Sequence, residues 1–576
     1  MIKRRLAGWL CGILLCLGLL KAEGALGGAI ATVDPIATDA AVQALKDGGN
    51  AIDAAVAAGL TLGVVNGYNS GIGGGCFVVC RLADGTVFTV NGREKAPGRA
   101  HRDLYLRNGE ADPNLSRVGA LAVAVPGALM AYAQLSETHG RIPFRKHLLK
   151  AAAIAEQGFK IPAAYASILK GRSYDLKKFP ASARIFLDAK GNPYQAGAVL
   201  KQTDLANTYR QVAVHGTGWF YKGPFAKKTS AWMNANDGVL SEADFAQYTI
   251  TRPAPVQTTY RGYTVYGMPP PSSGGVHVIQ ILNMLETRNL KKVNPRSADF
   301  FHLISESMKL AFADRAYWLG DPDFAQVPRG LMDKGYARKL AARIHPSQII
   351  EVKSHGIPPK VTEDIFDKHT THFSCADSAG NWVAITATIN THFGSKVVIP
   401  GTGVLMNNEM DDFAAAPGAP NAFGLLGSEA NSVEPGKRPL SSMSPTLVLK
   451  GNQPVLAVGA AGGPTIITQT LLAMVHTLDY GLSLKEALAQ PRFHHQWKPD
   501  TLRIELKAGQ SVLNQLRQRG HQLKLYNSMG ATQAVGWFEG KFKAVHDPRS
   551  NGKSVVLAPS DQDCFHQKRS SGCGPV

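Results

Sequence analysis

The chain has 576 residues, of which 44% are hydrophobic and 18% are charged, and this apolar fraction is ample for the core of a large folded unit. Its formal net charge is +19, but no nucleic-acid-binding motif accompanies the charge, which argues against a nucleic-acid partner. We therefore interpret a local basic cluster as a solvated surface with at most a weak attraction for anionic envelope surfaces or an acidic substrate. The cluster comprises Lys170, Arg172, Lys177, Lys178 and Arg184.

Residues 1–24 are predicted to be a secretory signal peptide. The charged segment Lys3-Arg4-Arg5 is followed by an uncharged apolar stretch of 15 residues, 6–20, and cleavage is expected near Gly24 or Ala25. Fifteen residues fall short of the roughly 20 that a membrane-spanning helix needs, although an uncleaved anchor remains the alternative. No other stretch is long and apolar enough to span a membrane, so we expect a soluble mature protein that is exported to the periplasm.

Of the seven cysteines, Cys11 and Cys16 lie in the predicted signal peptide, which leaves five in the mature chain. Cys76, Cys80 and Cys375 lie in apolar strand-like segments and are predicted to be buried small hydrophobic residues. Cys564 and Cys573 bracket a short polar tail and could form a disulfide in an oxidising compartment.

No spacing of His, Cys, Asp or Glu indicates a metal site. His494 and His495 are adjacent, so on a strand they would face opposite ways, and we interpret them as structural.

The first predicted elements are two helices and a glycine run. A helical pattern over residues 38–46 ends at Gly48-Gly49, and Asn50 can cap a second, alanine-rich helix over residues 51–62. Residues 70–75 are glycine-rich but lack the Gly-Lys-Ser/Thr ending of a phosphate-binding loop. We interpret these glycines as positions where two backbones approach closely.

Two strands are predicted next, over residues 76–81 and 86–90, with a turn at Ala83-Asp84-Gly85. Arg93 follows the second strand at once, where its side chain can point into a cleft. The alternative is an ordinary surface arginine.

The middle of the chain is predicted to be mainly helical, with helices over residues 128–135, 144–157, 276–285 and 301–319. The Pro- and Gly-rich residues 268–275 predict a rigid loop near the cleft. Asp314 and Arg315 are expected to form a structural ion pair. Residues 351–369 predict a mobile, exposed linker, because they contain mixed charge, Gly and Pro and little to bury.

A β-hairpin is predicted for residues 372–390, with its turn near Gly380. Val383, Ile385, Ala387 and Ile389 would share an apolar face, because side chains alternate along a strand. The opposite face carries Trp382, Ala384, Thr386, Thr388 and Asn390. Such a face suits a polar pocket or, alternatively, a sheet with one solvated face.

A series of motifs in fixed order gives this pattern a more specific meaning. The motifs are residues 92–97 (GREKAP), 268–275 (MPPPSSGG), 313–315 (ADR), 370–372 (TTH), 388–390 (TIN), 407–413 (NNEMDDF), 438–446 (RPLSSMSPT) and 462–463 (GG). From about residue 27 to about residue 550 the chain closely resembles the γ-glutamyltranspeptidase (γ-glutamyltransferase) family of N-terminal-nucleophile hydrolases.

The resemblance implies an α/β fold, a four-layer αββα sandwich built from two chains after self-cleavage. A threonine hydroxyl is a poor nucleophile without an adjacent base, and a free α-amine, with a pKa of about 7.7–8.0, can serve as that base. Thr370 is internal as translated, so cleavage is expected at His369-Thr370. The products would be a large subunit, residues 25–369, and a small subunit, residues 370–576, which together form one catalytic unit.

The resemblance also implies a site residue by residue. Thr370 is the nucleophile, Thr388 hydrogen-bonds it, and Gly462-Gly463 offer backbone N–H donors to the oxyanion. The substrate α-carboxylate is assigned to Arg93, Ser441 and Ser442. The α-ammonium is assigned to Asn390, Glu409 and Asp412. Taken singly, Ser441-Ser442 and Gly462-Gly463 could be turn formers, and Asp412 could cap a loop.

The implied reaction is acyl transfer in two steps. The hydroxyl takes the γ-glutamyl group of glutathione or a related amide. Water or the amine of an amino acid or dipeptide then resolves the ester. No metal or organic cofactor is called for, and the partners are glutathione, other γ-glutamyl compounds and the amine acceptors.

Two departures from the family pattern stand out. Residues 417–428 match the lid loop over the pocket, but Phe423 stands where we expect Tyr and cannot donate a hydrogen bond, so looser lid closure is expected. Cys76 replaces a glycine of the usual run. The tail after Ser550 has no counterpart that we can assign.

Two other functions fit part of the pattern. A cephalosporin acylase of the same superfamily would share Thr370 and the glycines but would have less need of a clamp for an α-amino acid. A secreted binding protein could keep the fold without catalysis, although the intact Thr370 set argues against this.

Overall fold

The computed structural model describes residues 27–359, 372–416 and 418–558. Three sequence predictions lie outside the described residues: the signal peptide, the His369-Thr370 junction with its nucleophile, and the Cys564–Cys573 pair. Residues 360–369 of the predicted linker and Pro417 of the predicted lid loop also lie outside them.

The strands in the described part of the chain run, in order, β1 Gly28–Thr32, β2 Gly75–Arg81, β3 Val87–Gly92, β4 Leu106–Arg107, β5 Glu110–Ala111, β6 Phe159–Lys160, β7 Val199–Leu200, β8 Val256–Tyr260, β9 Tyr263–Gly267, β10 His372–Asp377, β11 Trp382–Thr388, β12 Thr446–Lys450, β13 Gln453–Ala461, β14 Phe493–His494, β15 Leu502–Glu505, β16 Leu523–Tyr526, β17 Ala531–Phe538, β18 Lys541–His546 and β19 Lys553–Leu557.

The helices are α1 Pro35–Lys46, α2 Ala51–Val65, α3 Pro113–Arg117, α4 Ala128–His139, α5 Phe144–Gln157, α6 Ala163–Lys177, α7 Pro180–Phe186, α8 Thr203–His215, α9 Gly218–Tyr221, α10 Pro224–Asn234, α11 Glu242–Gln247, α12 Ser273–Glu286, α13 Ala298–Trp318, α14 Lys334–Ala342, α15 Thr465–Leu478, α16 Leu484–Ala489 and α17 Gln510–Gln518. In the described ranges, none of them combines the length and apolar character that crossing a bilayer requires.

Two six-stranded sheets form the centre of the molecule. The first has the order β19-β1-β10-β11-β2-β3 and the second the order β18-β17-β13-β12-β9-β8. The pairs β1·β10, β10·β11, β11·β2, β13·β12 and β12·β9 are all antiparallel. The central strands of each sheet therefore come from distant parts of the chain.

The inner faces of the two sheets pack against each other. Phe77, Trp382, Leu447 and Val535 belong to the apolar cluster between them and are fully or almost fully buried. His372 on β10 also points across this interface, and a Cβ on Gly459 of β13 would collide with its ring. The absent side chain at Gly459 thus makes room for a histidine between the sheets.

Helices cover both outer faces and complete the four layers. On the first sheet, α1, α2, α4 and α5 pack over a core that includes Val56, Leu60, Val78 and Val383. On the second sheet, α12, α13 and α15 pack over a core that includes Ile279, Phe301, Val458 and Leu471. This arrangement confirms the predicted αββα sandwich, and it arises because each sheet is apolar on both faces.

The local predictions for the first hundred residues are confirmed, with small shifts of the ends. The Asn50 side chain accepts hydrogen bonds from the Ile52 and Asp53 N–H groups, at 2.9 and 3.1 Å, and caps α2. A Cβ on Gly74 would collide with the Thr388 carbonyl, so the glycine run does mark a close approach of backbones. Cys76 is a buried free cysteine, as are Cys80 and Cys375.

The hairpin is β10–β11, with Gly380 in its turn at φ +101°. Val383, Ile385, Ala387 and Ile389 share the apolar core beneath the helices, as predicted. The alternative of a solvated opposite face is wrong, because that face meets the second sheet and all of β11 is buried.

Hydrogen bonds attach the described part of the predicted linker, residues 351–359, to the rest of the protein, although five of these nine residues are exposed as predicted. The Val352 carbonyl accepts a hydrogen bond from Trp497 Nε1 at 2.7 Å. The Gly356 N–H donates to Asp314 at 2.7 Å, and the Gly356 carbonyl accepts from Trp318 Nε1 at 3.1 Å. Asp314 and Trp318 of α13, together with Trp497, therefore hold a segment whose own side chains have little to bury. Ile357 is nonetheless 85% exposed.

The expected Asp314–Arg315 ion pair is also wrong. Asp314 accepts hydrogen bonds from Gln280, Tyr336 and Gly356, whereas Arg315 points to the loop that precedes β12. Adjacent residues on a helix point about 100° apart, so they do not face each other. Beyond Ser550, part of the tail forms β19, which pairs with β1 at the edge of the first sheet.

Candidate active site

The segment after β11 places Thr388 and Asn390 at the edge of the first sheet. Thr388 ends the strand, is 1% exposed, and its Oγ1 accepts a hydrogen bond from the Asn390 N–H at 2.7 Å. Asn390 adopts φ +73°, a left-handed conformation that asparagine tolerates better than most residues. The chain therefore turns sharply where the strand ends, two residues beyond the Thr386 that pairs with His372.

Asn407 and Asn408 tie this turn to the acidic segment that follows them. The Asn390 side-chain amide donates to the Asn408 carbonyl at 2.9 Å. Asn407 Nδ2 donates to the carbonyls of Gly73 and Ala124, both at 2.8 Å. These bonds fix the start of the 3₁₀ turn Glu409–Asp412 against the glycine run.

Arg93 lies behind this turn in a fully buried ion cluster. Its guanidinium donates to Glu409, to Asp412 at 2.8 Å, and to the Pro439 carbonyl at 3.3 Å. Glu94 is also in the cluster, with Oε2 3.4 Å from Arg93 Nη1. The structure thus brings together Arg93, Glu409 and Asp412, which the family pattern assigns to opposite charges of the substrate.

One guanidinium cannot neutralise three carboxylates in a dry site. Burial raises the pKa of Glu94 to about 7, against the lowering effect of Arg93. Burial likewise raises the pKa of Glu409 well above its ordinary value, and Glu94 and Asp412 raise it further by repulsion. The cluster therefore retains a proton on this pair of glutamates near neutral pH.

Ser441 and Ser442 are held by α12 and α13. Arg315 donates to Ser273 Oγ at 3.0 Å, to the Ser441 carbonyl at 3.5 Å, and to Ser442 Oγ at 3.4 Å. The Ser441 N–H donates to the Pro271 carbonyl at 3.1 Å, so the Pro- and Gly-rich loop also supports the serines. Burial lowers the pKa of Arg315 to about 10, which leaves it a cation at neutral pH.

Gly462 and Gly463 form the turn between β13 and α15. Their φ angles are +134° and +59°, values that favour glycine. Thr465 Oγ1 donates to the Gly462 carbonyl at 2.8 Å and holds the turn. Neither glycine N–H donates to another residue within the described ranges, and both precede the N-terminus of α15. Free N–H groups beside the positive end of a helix dipole suit a developing negative charge.

The predicted lid loop covers this turn. A Cβ on Gly463 would lie 2.7 Å from the Phe423 ring, so the ring rests on the glycine. Asn421 fixes the loop by accepting from the Phe423 and Leu425 N–H groups at 3.0 and 3.1 Å. Gln496 Nε2 donates to the Gly424 carbonyl at 3.0 Å. Phe423 therefore contributes a packed ring rather than a hydrogen bond.

A cavity of about 600 Å³ opens between these elements. Asn390, Asp412, Gly462 and Gly463 line it, with Phe423 at its edge. The other predicted residues in the described part of the chain lie behind the wall and are at most 1% exposed: Arg93, Thr388, Glu409, Ser441 and Ser442. Among the described residues assigned to the site, the side chains of Asn390 and Asp412 and the Gly462-Gly463 turn thus face the cavity, and the buried charged cluster lies behind them.

One group of described side chains could hold a metal ion on distance alone. The ligand atoms of His302, Glu306 and His521 lie within 4.8 Å of one another. They are already engaged, because His302 Nδ1 lies 2.8 Å from His521 Nε2 and Lys309 Nζ lies 3.0 Å from Glu306 Oε1. The Lys309 ammonium supplies a cation there, so we interpret the group as a structural polar cluster.

Sequence reasoning missed three supporting residues: Asn407, Asn408 and Arg315. The two asparagines belong to a motif that was singled out, and a pair of asparagines after an apolar segment is a signal for backbone hydrogen bonds. Arg315 also belongs to such a motif, residues 313–315, but it was interpreted as part of an ion pair, because only the crossing of α13 over the serine loop brings it there.

The four layers, with two antiparallel sheets at the centre, define the fold of the N-terminal-nucleophile hydrolase class. The family model described as gamma-glutamyltranspeptidase matches residues 37–557. The chain therefore belongs to the γ-glutamyltranspeptidase family.

Curated relatives agree with this assignment. The chain is 40% identical to a glutathione hydrolase proenzyme of Escherichia coli over 91% of this chain and 90% of that protein. It is 43% identical to one of Pseudomonas sp. (strain A14) over 84% of each. Among solved structures, a cephalosporin acylase from Bacillus halodurans matches with a TM-score of 0.82 and 27% identity, over 92% of this chain and 96% of that chain.

Proposed function

We propose that this protein is a γ-glutamyltransferase and glutathione hydrolase. It takes the γ-glutamyl group of glutathione or a related amide and passes it to water or to the amine of an amino acid or dipeptide. The observation that carries the proposal is one cavity lined by the carboxylate of Asp412 and by the Gly462-Gly463 turn, whose N–H groups donate to no other described residue. The glutathione hydrolase proenzymes at 40% and 43% identity support it independently.

The nucleophile in this proposal is the Thr370 hydroxyl. The chain cuts itself at His369-Thr370, and the α-amine that is released acts as the base for the hydroxyl. Thr388 is the hydrogen-bonding partner of that hydroxyl. The two products, residues 25–369 and 370–576, remain one catalytic unit. Export to the periplasm on residues 1–24 is part of the same proposal, and its support is the sequence alone.

Binding of the γ-glutamyl group requires two charged contacts. Asp412 faces the cavity and can accept from the substrate α-ammonium together with Asn390 and, behind them, Glu409. Arg93, Ser441 and Ser442 are assigned to the α-carboxylate. Since Arg93 donates to Glu409 and Asp412, a bound carboxylate would share the guanidinium with them. The cluster is then an organised scaffold in which each group holds its neighbour in place.

Acyl transfer creates an oxyanion next to the glycine turn. The N–H groups of Gly462 and Gly463 are oriented before the reaction by the Thr465 bond and by α15. Preorganised donors stabilise the developing charge without reorganising in the transition state.

A cephalosporin acylase is the alternative. The Bacillus halodurans structure favours it on fold, but at 27% identity, compared with 40% and 43% for the glutathione hydrolases. A buried cluster of one arginine and three carboxylates also suits an α-amino acid better than a dicarboxylic side chain.

The test is an assay with γ-glutamyl-p-nitroanilide, run in parallel with a cephalosporin side-chain substrate and N-terminal sequencing. We expect nitroaniline release and a fragment that begins at Thr370. Thr370→Ala should give an intact, inactive chain, and Thr370→Ser should still cut. Activity on the cephalosporin substrate alone, or full activity from an uncut chain, would contradict the proposal.

A further inference from the structure

The cavity of the proposed γ-glutamyl site has a second wall that is basic. Besides the residues already described, Arg117, Arg172 and Lys396 line the cavity. Arg172 belongs to the basic cluster that the sequence alone suggested was only a solvated surface. In the structure, part of that cluster faces the site.

Lys396 is a buried cation in this wall. It is 3% exposed and adopts φ +69°, a strained conformation for a lysine. Its ammonium donates to the Gly394 carbonyl and to Thr391 Oγ1 at 3.4 Å. Within the described ranges its hydrogen bonds go to neutral groups, and Asp175 and Asp411 attract it without forming an ion pair. Burial and the nearby Arg172 lower the pKa of Lys396 to about 8.

Asp175 also lines the cavity, but it and Asp411 are already engaged in ion pairs. Asp411 Oδ1 lies 3.2 Å from Arg117 Nε, and Asp175 Oδ1 lies 2.8 Å from Lys178 Nζ. Arg172 is in no ion pair with another described residue, and it lies at the exposed mouth of the cavity. Arg172 and Lys396 therefore remain as two cations without a carboxylate partner in the described structure.

The chemistry of acyl transfer indicates which reactant lies beside these two cations. The amine that leaves the donor and the amine that attacks the acyl-enzyme pass through equivalent tetrahedral geometries, so they occupy the same side of the scissile carbonyl. Asp412 and Gly462-Gly463 are assigned to the γ-glutamyl group, and Arg172 and Lys396 line the same cavity. The part of the cavity that the γ-glutamyl group does not fill is left for the amine partner.

We propose that Arg172 and Lys396 form a carboxylate-binding subsite for the amine partner of the reaction. The subsite takes the carboxylate of the leaving group or of the acceptor, as in a dipeptide with a free C-terminus. This inference rests on the proposed γ-glutamyl transfer. It gives the enzyme a preference for anionic amine partners, because a partly desolvated cation binds a carboxylate more strongly than a neutral group.

The first arm of the test compares two donors that differ by one carboxylate: γ-glutamyl-p-nitroanilide and γ-glutamyl-3-carboxy-4-nitroanilide. The readout is the ratio of kcat/KM for the carboxylated donor to that for the neutral donor. Arg172→Met and Lys396→Met should each lower this ratio by about tenfold. The control is Lys170→Met. Lys170 is exposed on the same helix as Arg172 but does not line the cavity, so this variant should keep the wild-type ratio.

The second arm compares acceptors, glycylglycine and glycylglycine amide, in transfer from the neutral donor. A fall in the donor ratio alone assigns the subsite to the leaving group. A fall in the acceptor ratio alone assigns it to the acceptor, and either result supports the subsite. If Arg172→Met leaves both the donor ratio and the acceptor ratio unchanged, the proposed subsite is wrong. Because Arg172 is exposed, this variant should fold even if Lys396→Met does not.

The two proposals fail in different ways. If the wild type releases nitroaniline from neither donor, the proposed γ-glutamyl function is wrong, and the proposed subsite is wrong with it. If the wild type turns over both donors and the Arg172 and Lys396 variants keep its ratios, only the subsite is wrong.

Discussion

At the scale of single residues, the account depends on how buried charges share protons and partners. Glu94 is the clearest case, because it is fully buried beside Arg93, with Glu409 competing for the same guanidinium. The pKa of Glu94 is raised from 4.5 to about 7 in the folded protein. The folded state therefore keeps a proton that the unfolded chain releases between these values.

We expect Glu94→Gln to change how stability depends on pH. The contribution of the Glu94 proton is fully present below about pH 4.5 and is lost as the pH rises through about 7. Glutamine cannot ionise, so the variant should gain roughly 1–3 kcal/mol relative to the wild type as the pH rises from about 5 to about 8. Thermal unfolding at several pH values measures this gain. A stability difference between Glu94→Gln and the wild type that does not change with pH would contradict the raised pKa.

Gly463 gives a second prediction at this scale, with a matched control. Gly463 and Gly451 have φ angles of +59° and +58°, but a Cβ would meet the Phe423 ring only at Gly463, and nothing within 4 Å at Gly451. Both changes to alanine carry the same backbone strain, of about 1 kcal/mol. Gly463→Ala should also displace the glycine turn and lower kcat by about 10²-fold or more, whereas Gly451→Ala should not. Equal kcat values for the two variants would show that Gly463 does not contribute to the catalytic site.

At the scale of elements, α13 holds two other segments of the chain in place, which its sequence did not predict. Arg315 reaches Ser273, Ser441 and Ser442, whereas its neighbour Asp314 fixes the segment around Gly356. Helix α13 therefore supports the serine loop through Arg315 and the chain upstream of the predicted cleavage site through Asp314.

Arg315→Gln should weaken binding more than turnover. The arginine acts through the serines that are assigned to the substrate α-carboxylate, so loss of its hydrogen bonds should raise KM for γ-glutamyl donors by about tenfold. The kcat value should change by only a few-fold. Steady-state kinetics with γ-glutamyl-p-nitroanilide measures both, with exposed Arg338→Gln as the control. A large fall in kcat at unchanged KM would show that Arg315 acts on the reaction step instead.

The elements themselves were largely predictable from the sequence. Strand alternation gave the β10–β11 hairpin, because Val383, Ile385 and Ala387 must share a face, and Asn50 marked the start of α2. The two-sided burial of β11 was not predictable, because Thr386 and Thr388 look like residues of a solvated face. Their burial depends on a second sheet whose strands lie far away in sequence.

The same limit applies to the site. Motif order alone identified Asp412 and the Gly462-Gly463 turn, and the structure brings them to one cavity. The contact of Arg93 with Glu409 and Asp412 was not predictable, since no spacing says which charges meet when the loops pack. Arg172 was hidden for a similar reason, because a basic residue on an exposed helix is usually solvated, and Lys396 lies in a turn for which no pattern predicts contact with a cavity.

At the scale of the whole molecule, the two sides of the predicted cleavage are interleaved. In the first sheet, β1 and β2 come before the His369-Thr370 junction, and the strands between them, β10 and β11, come after it. In the second sheet, β9 pairs with β12 in the same way. Backbone hydrogen bonds along whole strands therefore join the two fragments, and the apolar clusters contain residues of both.

We expect the two fragments to stay associated after cleavage. Native size-exclusion chromatography should give one species that contains both fragments, and denaturing electrophoresis should separate them. Unfolding should be a single cooperative transition, because neither fragment can complete a sheet alone. Fragments that separate under native conditions would contradict this picture of the fold.

The central claim is that the Thr370 hydroxyl carries the γ-glutamyl group. The most direct measurement is mass spectrometry of the protein quenched during turnover of γ-glutamyl-p-nitroanilide, with peptide mapping of the adduct. The account predicts one γ-glutamyl group on a peptide whose first residue is Thr370. An adduct on another residue, or turnover by a chain in which the His369-Thr370 bond is intact, would contradict it.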